Sequence, residues 1–219
     1  MWILFEGPES TGKSTQAAKL KSSLEKITER EIILTKEPGC PDLDICVNIR
    51  KMLLDPNTNL SPESELLLFL ADRAEHMSKV IIPSLKAGKI VISDRSSLST
   101  LCYHHASKND ENYKLNELYG FINYVHFGYS PDICFIAGFE DEKWQTEMMK
   151  SRGMDRIEQR GSDFHSRVSE FFRTIMMRTD MVSEPFFPKE VIHLPLIPAY
   201  TAETISELTL IYAKERLNK

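Results

Sequence analysis

Residues 5–15 read Phe5-Glu6-Gly7-Pro8-Glu9-Ser10-Thr11-Gly12-Lys13-Ser14-Thr15, and this stretch decides the fold. From Gly7 to Ser14 it matches GxxxxGK[ST] in full. Its surroundings suit that motif. Trp2–Phe5 is an apolar run stopped by Gly7 and Pro8, as expected of a buried parallel strand, and Lys13–Lys26 reads as a helix. A glycine-bearing loop between strand and helix turns successive backbone N–H groups inward, and the helix N-terminus adds positive potential. The loop is therefore expected to cradle the phosphates of a nucleotide through Gly7, Pro8, Glu9, Ser10, Thr11, Gly12, Lys13, Ser14 and Thr15, without by itself separating a kinase from a GTPase or a motor. Lys13 reaches the terminal phosphates in such a cradle, and the Ser14 hydroxyl joins a Mg2+ shell. One residue does not fit this purpose. Glu9 places a carboxylate in a loop built to attract anions.

Outward from the loop, strands alternate with helices. Ile32–Thr35, Ile90–Ser93, Ile133–Ala137 and the weaker Val191–Leu194 are candidate strands; Asp44–Leu54 and Ala202–Leu217 read as helices. Ser61-Pro62-Glu63-Ser64-Glu65 is a helix start, with Ser61 as N-cap and Pro62 at the first position. That helix is expected to run to Ala87 with a disturbance near Pro83. Ser107–Asn112 and Pro185–Lys189 read as connections. The alternation predicts an α/β fold with a parallel sheet, and no Gly/Ser-rich linker divides residues 1–219, so a single domain is expected. Asp94 ends the IVIS strand, at the carboxyl edge where such sheets bind ligands, and is the expected magnesium-side acid; capping the next helix is its competing role.

Composition narrows the function classes. Hydrophobic residues make up 42% and charged residues 27% of the 219, enough for a substantial core. A net charge of −5 gives no support to nucleic-acid binding, whereas nucleotides need only a local positive cluster. No apolar run approaches the ~20 residues of a membrane span. The four cysteines form no CxxC pair and the chain opens as a strand rather than a targeting segment, which predicts a reduced, cytoplasmic setting.

Five blocks, FEGPESTGKSTQ (5–16), TKEPG (35–39), LSPESELLLFLADRAEH (60–76), VISDRSSLSTLCY (91–103) and DRIEQRGSDF (155–164), together resemble the thymidylate kinase family. The resemblance implies a P-loop NTPase-type three-layer fold, a five-stranded parallel sheet flanked by helices with a short lid at about 151–161. It implies phosphoryl transfer from ATP to dTMP, with Mg2+, in a homodimer packed through helices to which Glu63–His76 contribute. Phe69 and Arg73 lie four apart on one helix face; by resemblance the ring stacks on thymine and the guanidinium meets an exocyclic oxygen. Arg95 and Arg50 would grip the acceptor monophosphate near Lys36 and Pro38, and Ser99, Thr100 and Tyr103 would line the nucleoside pocket.

Family members supply a catalytic arginine either from the phosphate loop or from the lid. This loop has none, while the lid segment carries Arg152, Arg156 and Arg160, so the chain resembles the lid-arginine type, with Arg156 the leading candidate, then Arg152 and Arg160. Asp155, Glu158 and Asp163 are expected to orient those arginines or to contact the nucleoside. In that scheme Glu9 points across the cleft toward the acceptor; its competing position is in solvent. Lys36 stands where arginine is usual, Cys40 where glycine is typical, and Ser96 and His104 also depart from the pattern, which bears on substrate preference. A kinase for other deoxynucleoside monophosphates is the alternative. A nucleotide-hydrolysing switch is disfavoured by the absence of an [NT]KxD motif, and a non-catalytic binding module by the intact Lys13, Ser14, Asp94 and Arg95.

Overall fold

Every residue of β1 (Trp2–Glu6) is buried, and the strand lies at the centre of a five-stranded sheet ordered β2-β3-β1-β4-β5. The computed structural model describes residues 1–107, 115–139, 155–175, 183–197 and 200–217. The other strands are β2 (Ile32–Lys36), β3 (Ile90–Asp94), β4 (Ile133–Phe139) and β5 (Val191–Leu196), and all four pairings are parallel. Parallel central strands are covered on both faces, which is why WILF, IVIS and ICFIA read as continuous apolar runs.

Alternation of side chains sorts the core into two layers. Leu4, Cys134 and Ile136 face one way, into a cluster with Leu66, Leu70, Leu98 and Phe172. Those partners come from α3 (Pro62–His76), α5 (Ser97–Ser107) and α7 (Ser162–Ile175). Ile3, Phe5 and Phe135 face the other way, against Leu20 of α1 (Lys13–Leu24) and Ile205 of α8 (Ala202–Leu217). The result is a three-layer α/β fold, with α2 (Asp44–Leu54) packed on α3 and α6 (Leu115–His126) on α3 and α5.

The expected strands all form, each extended by one or two residues at its carboxyl end. Ser61 caps α3 as expected, its hydroxyl accepting from Ser64 N at 3.2 Å. The disturbance near Pro83 falls a turn earlier. α3 ends at His76, a π turn covers Met77–Ile81, and α4 (Ile82–Lys86) follows. Proline cannot donate to the carbonyl four residues back and its ring crowds that group, so the preceding turn widens. The helix expected after Asp94 forms as α5, whereas α6 and α7 have weak start signals and no expected helix covers them. The start of α5 is capped not by Asp94 but by Glu6 of β1, which accepts from Ser96 N at 2.8 Å and Ser99 N at 3.1 Å.

Register fixes the site. Phe5 pairs with Asp94 across β1 and β3, so the phosphate loop and the segment Asp94-Arg95 leave the same sheet edge side by side. Close packing under the loop demands glycine at position 7, where φ is +133° and an added Cβ would lie 2.0 Å from the carbonyl oxygen of Ala137. Gly12 has open space at φ +76°. Gly7→Ala is expected to destabilise the fold by more than about 3 kcal/mol in urea unfolding, and Gly12→Ala by only about 1 kcal/mol. Equal losses would contradict this packing.

Candidate active site

A cavity of about 610 Å³ opens at the carboxyl edge of the sheet, walled by the phosphate loop, the segment after β2, α3, the start of α5 and the residues Asp155, Ile157 and Glu158. Lys13 is buried there and folds back on its own loop, donating to Pro8 O at 2.5 Å and Thr11 Oγ1 at 3.0 Å. Burial and then the nearby Arg95 charge push its ammonium down to about 8. Ser10 takes a left-handed φ of 63°, which turns the loop. Glu9, Ser10, Thr11, Gly12, Ser14 and Thr15 line the cavity with Lys13, while Gly7 and Pro8 contribute backbone carbonyls behind it.

Ser14 Oγ donates to Asp94 Oδ2. The other carboxylate oxygen, Asp94 Oδ1, is buried without a hydrogen-bond partner. A hydroxyl and a carboxylate beside a phosphate cradle are the hard oxygen donors Mg2+ takes, alongside waters and phosphate oxygens, so these residues fit that ion. No cluster of three or more His, Cys, Asp or Glu poised for a metal occurs among the described residues, and His104-His105 forms none.

Arg95 joins the two halves of the site. Its backbone sits at φ 72°, a left-handed conformation uncommon for a side-chain-bearing residue and one that persists only when its surroundings hold it. Nη1 donates to Gly7 O at 2.9 Å and Ser99 Oγ at 2.8 Å; Nη2 donates to Glu9 Oε1 at 2.6 Å and is 3.3 Å from Tyr103 Oη. Tyr103 Oη also donates to Glu9 Oε1 at 2.9 Å. Glu9 therefore turns toward Arg95 and Tyr103, not into solvent. Burial would raise its carboxyl, but Arg95 and Lys13 outweigh that and hold it at about 2. Behind this group Glu6 is buried, and burial raises its carboxyl above the usual range against the pull of Arg95.

On the opposite wall Phe69 and Arg73 both line the cavity from α3. Arg73 is buried, with Nε 2.8 Å and Nη2 2.7 Å from Glu37 Oε2, and its Nη1 has no hydrogen-bond partner. An orphan buried donor on a cavity wall suits a ligand oxygen. Glu37 also accepts from His76 Nδ1 at 2.8 Å, and His76 Nε2 lies 2.7 Å from Thr35 Oγ1. Burial alone would depress His76, yet contacts with Cys40 and Glu37 raise it to about 9, so the imidazole is charged at neutral pH. Asp72 Oδ1 accepts from Gly39 N at 3.0 Å and Arg50 Nη1 donates to Pro38 O at 2.7 Å, which together pin the segment bearing Lys36 and Pro38. Lys36, Pro38, Arg50, Ser99 and Thr100 are all brought to the cavity.

The lid residues are placed differently. Arg156 and Arg160 do not line the cavity; both donate through Nη2 to Glu65 Oε2. Arg152 lies outside the described residues. Asp155 and Glu158 cap each other's turn, with Asp155 Oδ1 accepting from Glu158 N at 3.0 Å and Glu158 Oε2 from Asp155 N at 3.1 Å. Asp163 opens α7 and is exposed. Four carboxylates that organise the site, Glu6, Glu37, Glu65 and Asp72, were not singled out from sequence. The one available signal was that each stands inside a block matching the family.

Because Lys13 is poised near 8, a bound triphosphate must draw a proton onto it above that pH. Calorimetry of ATP binding in buffers of different ionisation heat is expected to show proton uptake at pH 8.5 and affinity falling by about tenfold per unit above pH 8. An affinity flat to pH 9.5 would contradict that environment.

Comparison with known proteins agrees with this geometry. The family model for thymidylate kinase matches residues 5–185. A thymidylate kinase from Chlamydia trachomatis is 39% identical over 174 residues, covering 78% of this chain and 83% of that protein. One from an Exiguobacterium species is 31% identical over 221 residues, covering 100% of this chain and 96% of its own. A solved thymidylate kinase from Ehrlichia chaffeensis superposes with a TM-score of 0.70 at 28% identity, covering 98% of this chain and 97% of its own. This chain, with its GxxxxGK[ST] loop and five-stranded parallel sheet, belongs to the thymidylate kinase family.

Proposed function

We propose that the chain transfers the γ-phosphoryl group of ATP to the 5′-monophosphate of dTMP, giving ADP and dTDP. The observation that carries this reading is Arg95, whose guanidinium bonds Gly7 and Glu9 of the phosphate loop and Ser99 and Tyr103 of α5 at once. A simple hydrolase has no use for a second wall of this kind.

In this reading Lys13 leaves Pro8 O for the terminal phosphates, and the loop N–H groups hold the rest of the chain of phosphates. Ser14 and Asp94 hold Mg2+, which supplies charge neutralisation at the transferred group. Arg95, Arg50 and Lys36 orient the acceptor phosphate, which is already ionised at neutral pH and needs no protein base. Phe69 stacks on the base, Arg73 Nη1 donates to a base carbonyl, and Tyr103 crowds the sugar. Thr100 and His104 finish that wall. The departures at Lys36, Cys40 and Ser96 favour a second reading in which other deoxynucleotides are also accepted.

We extend the proposal to organisation. Residues 1–219 act as one domain with a lid near 151–161. α3 and α6 pack together and leave Leu67, Phe121 and Tyr124 exposed, an apolar face that supports a homodimer. Among the described residues no helix is long and apolar enough to cross a membrane, and the four buried free cysteines suit a reduced, cytoplasmic setting.

An ADP-release assay over dTMP, dUMP, dCMP and dGMP tests the reaction: turnover is expected with dTMP foremost, and ADP formation independent of any acceptor would refute it. Glu9→Ala is expected to lower kcat with dTMP by roughly 100-fold while ATP affinity changes less than about threefold. Equal losses would show that Glu9 serves the donor side. Sedimentation is expected to find two chains per particle, and Tyr124→Glu to shift the population to monomer; an unshifted dimer would place the interface elsewhere.

A further inference from the structure

Residues 155–160 are fastened to the helices that wall the acceptor side, and a single carboxylate takes both of the segment's described arginines. Glu65, only 4% exposed, accepts from Nη2 of Arg156 and of Arg160. A carboxylate buried this deeply is costly without such partners, and loss of one leaves a charge uncompensated. Arg156 is fixed at two further points. Its backbone N donates to Leu54 O at 3.1 Å and its Nε to Leu53 O at 2.7 Å. Those carbonyls end α2, where helix groups lack intrahelical partners and favour a cation. Arg160 Nη1 donates to Ser107 Oγ, the last residue of α5, at 2.9 Å. Between the two arginines Ile157 is buried in the same apolar cluster as Leu66 and Leu70 of α3.

Glu65, Phe69 and Arg73 stand four residues apart along α3, on one face, and all three line the cavity. The residues expected to hold the base and the residue that holds the lid therefore share one stripe of one helix.

We propose that Glu65 and Arg156 are positioning residues for the acceptor. The pair clasps the lid segment onto α2 and α3, so that Asp155, Ile157 and Glu158 close the acceptor end of the cavity, and Arg156 stays in this clasp rather than meeting the transferred phosphoryl. This rests on the phosphotransfer reading above and deepens it.

Glu65→Gln, Arg156→Gln, Arg156→Lys and the Glu65→Gln/Arg156→Gln pair test it, with steady-state kinetics in both substrates and amide exchange over residues 155–161. Each Gln single is expected to raise the KM for dTMP about tenfold, leave the KM for ATP within about twofold and lower kcat by less than tenfold. The double variant is expected to be no worse than the poorer single by more than about twofold, because the residues act as a unit. Arg156→Lys keeps the charge without the fork and is expected to fall between wild type and Arg156→Gln. Exchange over 155–161 is expected to quicken in both singles. A loss near 1,000-fold in kcat for Arg156→Gln with Glu65→Gln near wild type would overturn the proposal in favour of direct charge neutralisation. Unchanged KM values with only a lowered melting temperature would also overturn it. If Glu65→Gln does not fold, the two Arg156 variants carry the same contrast between acceptor KM and kcat. Wild-type turnover reports separately on the phosphotransfer reading, and amide exchange on the clasp even where that reading fails.

Discussion

Arg95 is the constraint on which the rest of the site depends. The parallel register of β1 and β3 sets Phe5 beside Asp94, so the residue after Asp94 emerges directly beneath the phosphate loop. Its left-handed backbone turns the side chain into the loop instead of along α5, and four acceptors or donors hold it there. The negative charge in the phosphate loop has its explanation in this contact. Without Glu9, the buried Arg95 and Lys13 would face each other with only Asp94 and Glu6 to offset them. With Glu9, the loop has a handle on Arg95 and on Tyr103 of α5.

A second charge group repeats the device on the other wall. Glu37 takes Arg73 and His76 together, which fixes the planar guanidinium and leaves one nitrogen free of protein partners toward the cavity. Glu65 takes Arg156 and Arg160 in the same way. In each case a buried glutamate sets the position of an arginine that sequence spacing alone would have left on the surface. Buried ion pairs of this kind contribute little net stability and are better understood as devices of geometry.

Much of this was legible in the sequence where the signal is local. The glycines, Lys13 and Ser14 of the phosphate loop form a contiguous motif, and Phe69 and Arg73 meet because four residues separate them on a helix. Strand positions followed from apolar runs, and their order in the sheet makes the three layers. The carboxylates were not legible because their partners are remote in sequence: Glu6 with Ser96, Glu37 with Arg73, Glu65 with Arg156. The cap of helix α5 was not legible because its first turn is Ser-rich and the capping carboxylate comes from a strand some ninety residues earlier. The placing of Arg156 needed the end of α2, whose free carbonyls no spacing rule connects to residue 156.

The account stands on two phosphate-bearing molecules meeting end to end across Arg95. A ligand joining adenosine to thymidine, 5′ to 5′, through five phosphates measures this most directly. The account predicts that it binds once per chain and competes with both ATP and dTMP. Competition with only one of them, or two ligands bound per chain, would contradict it.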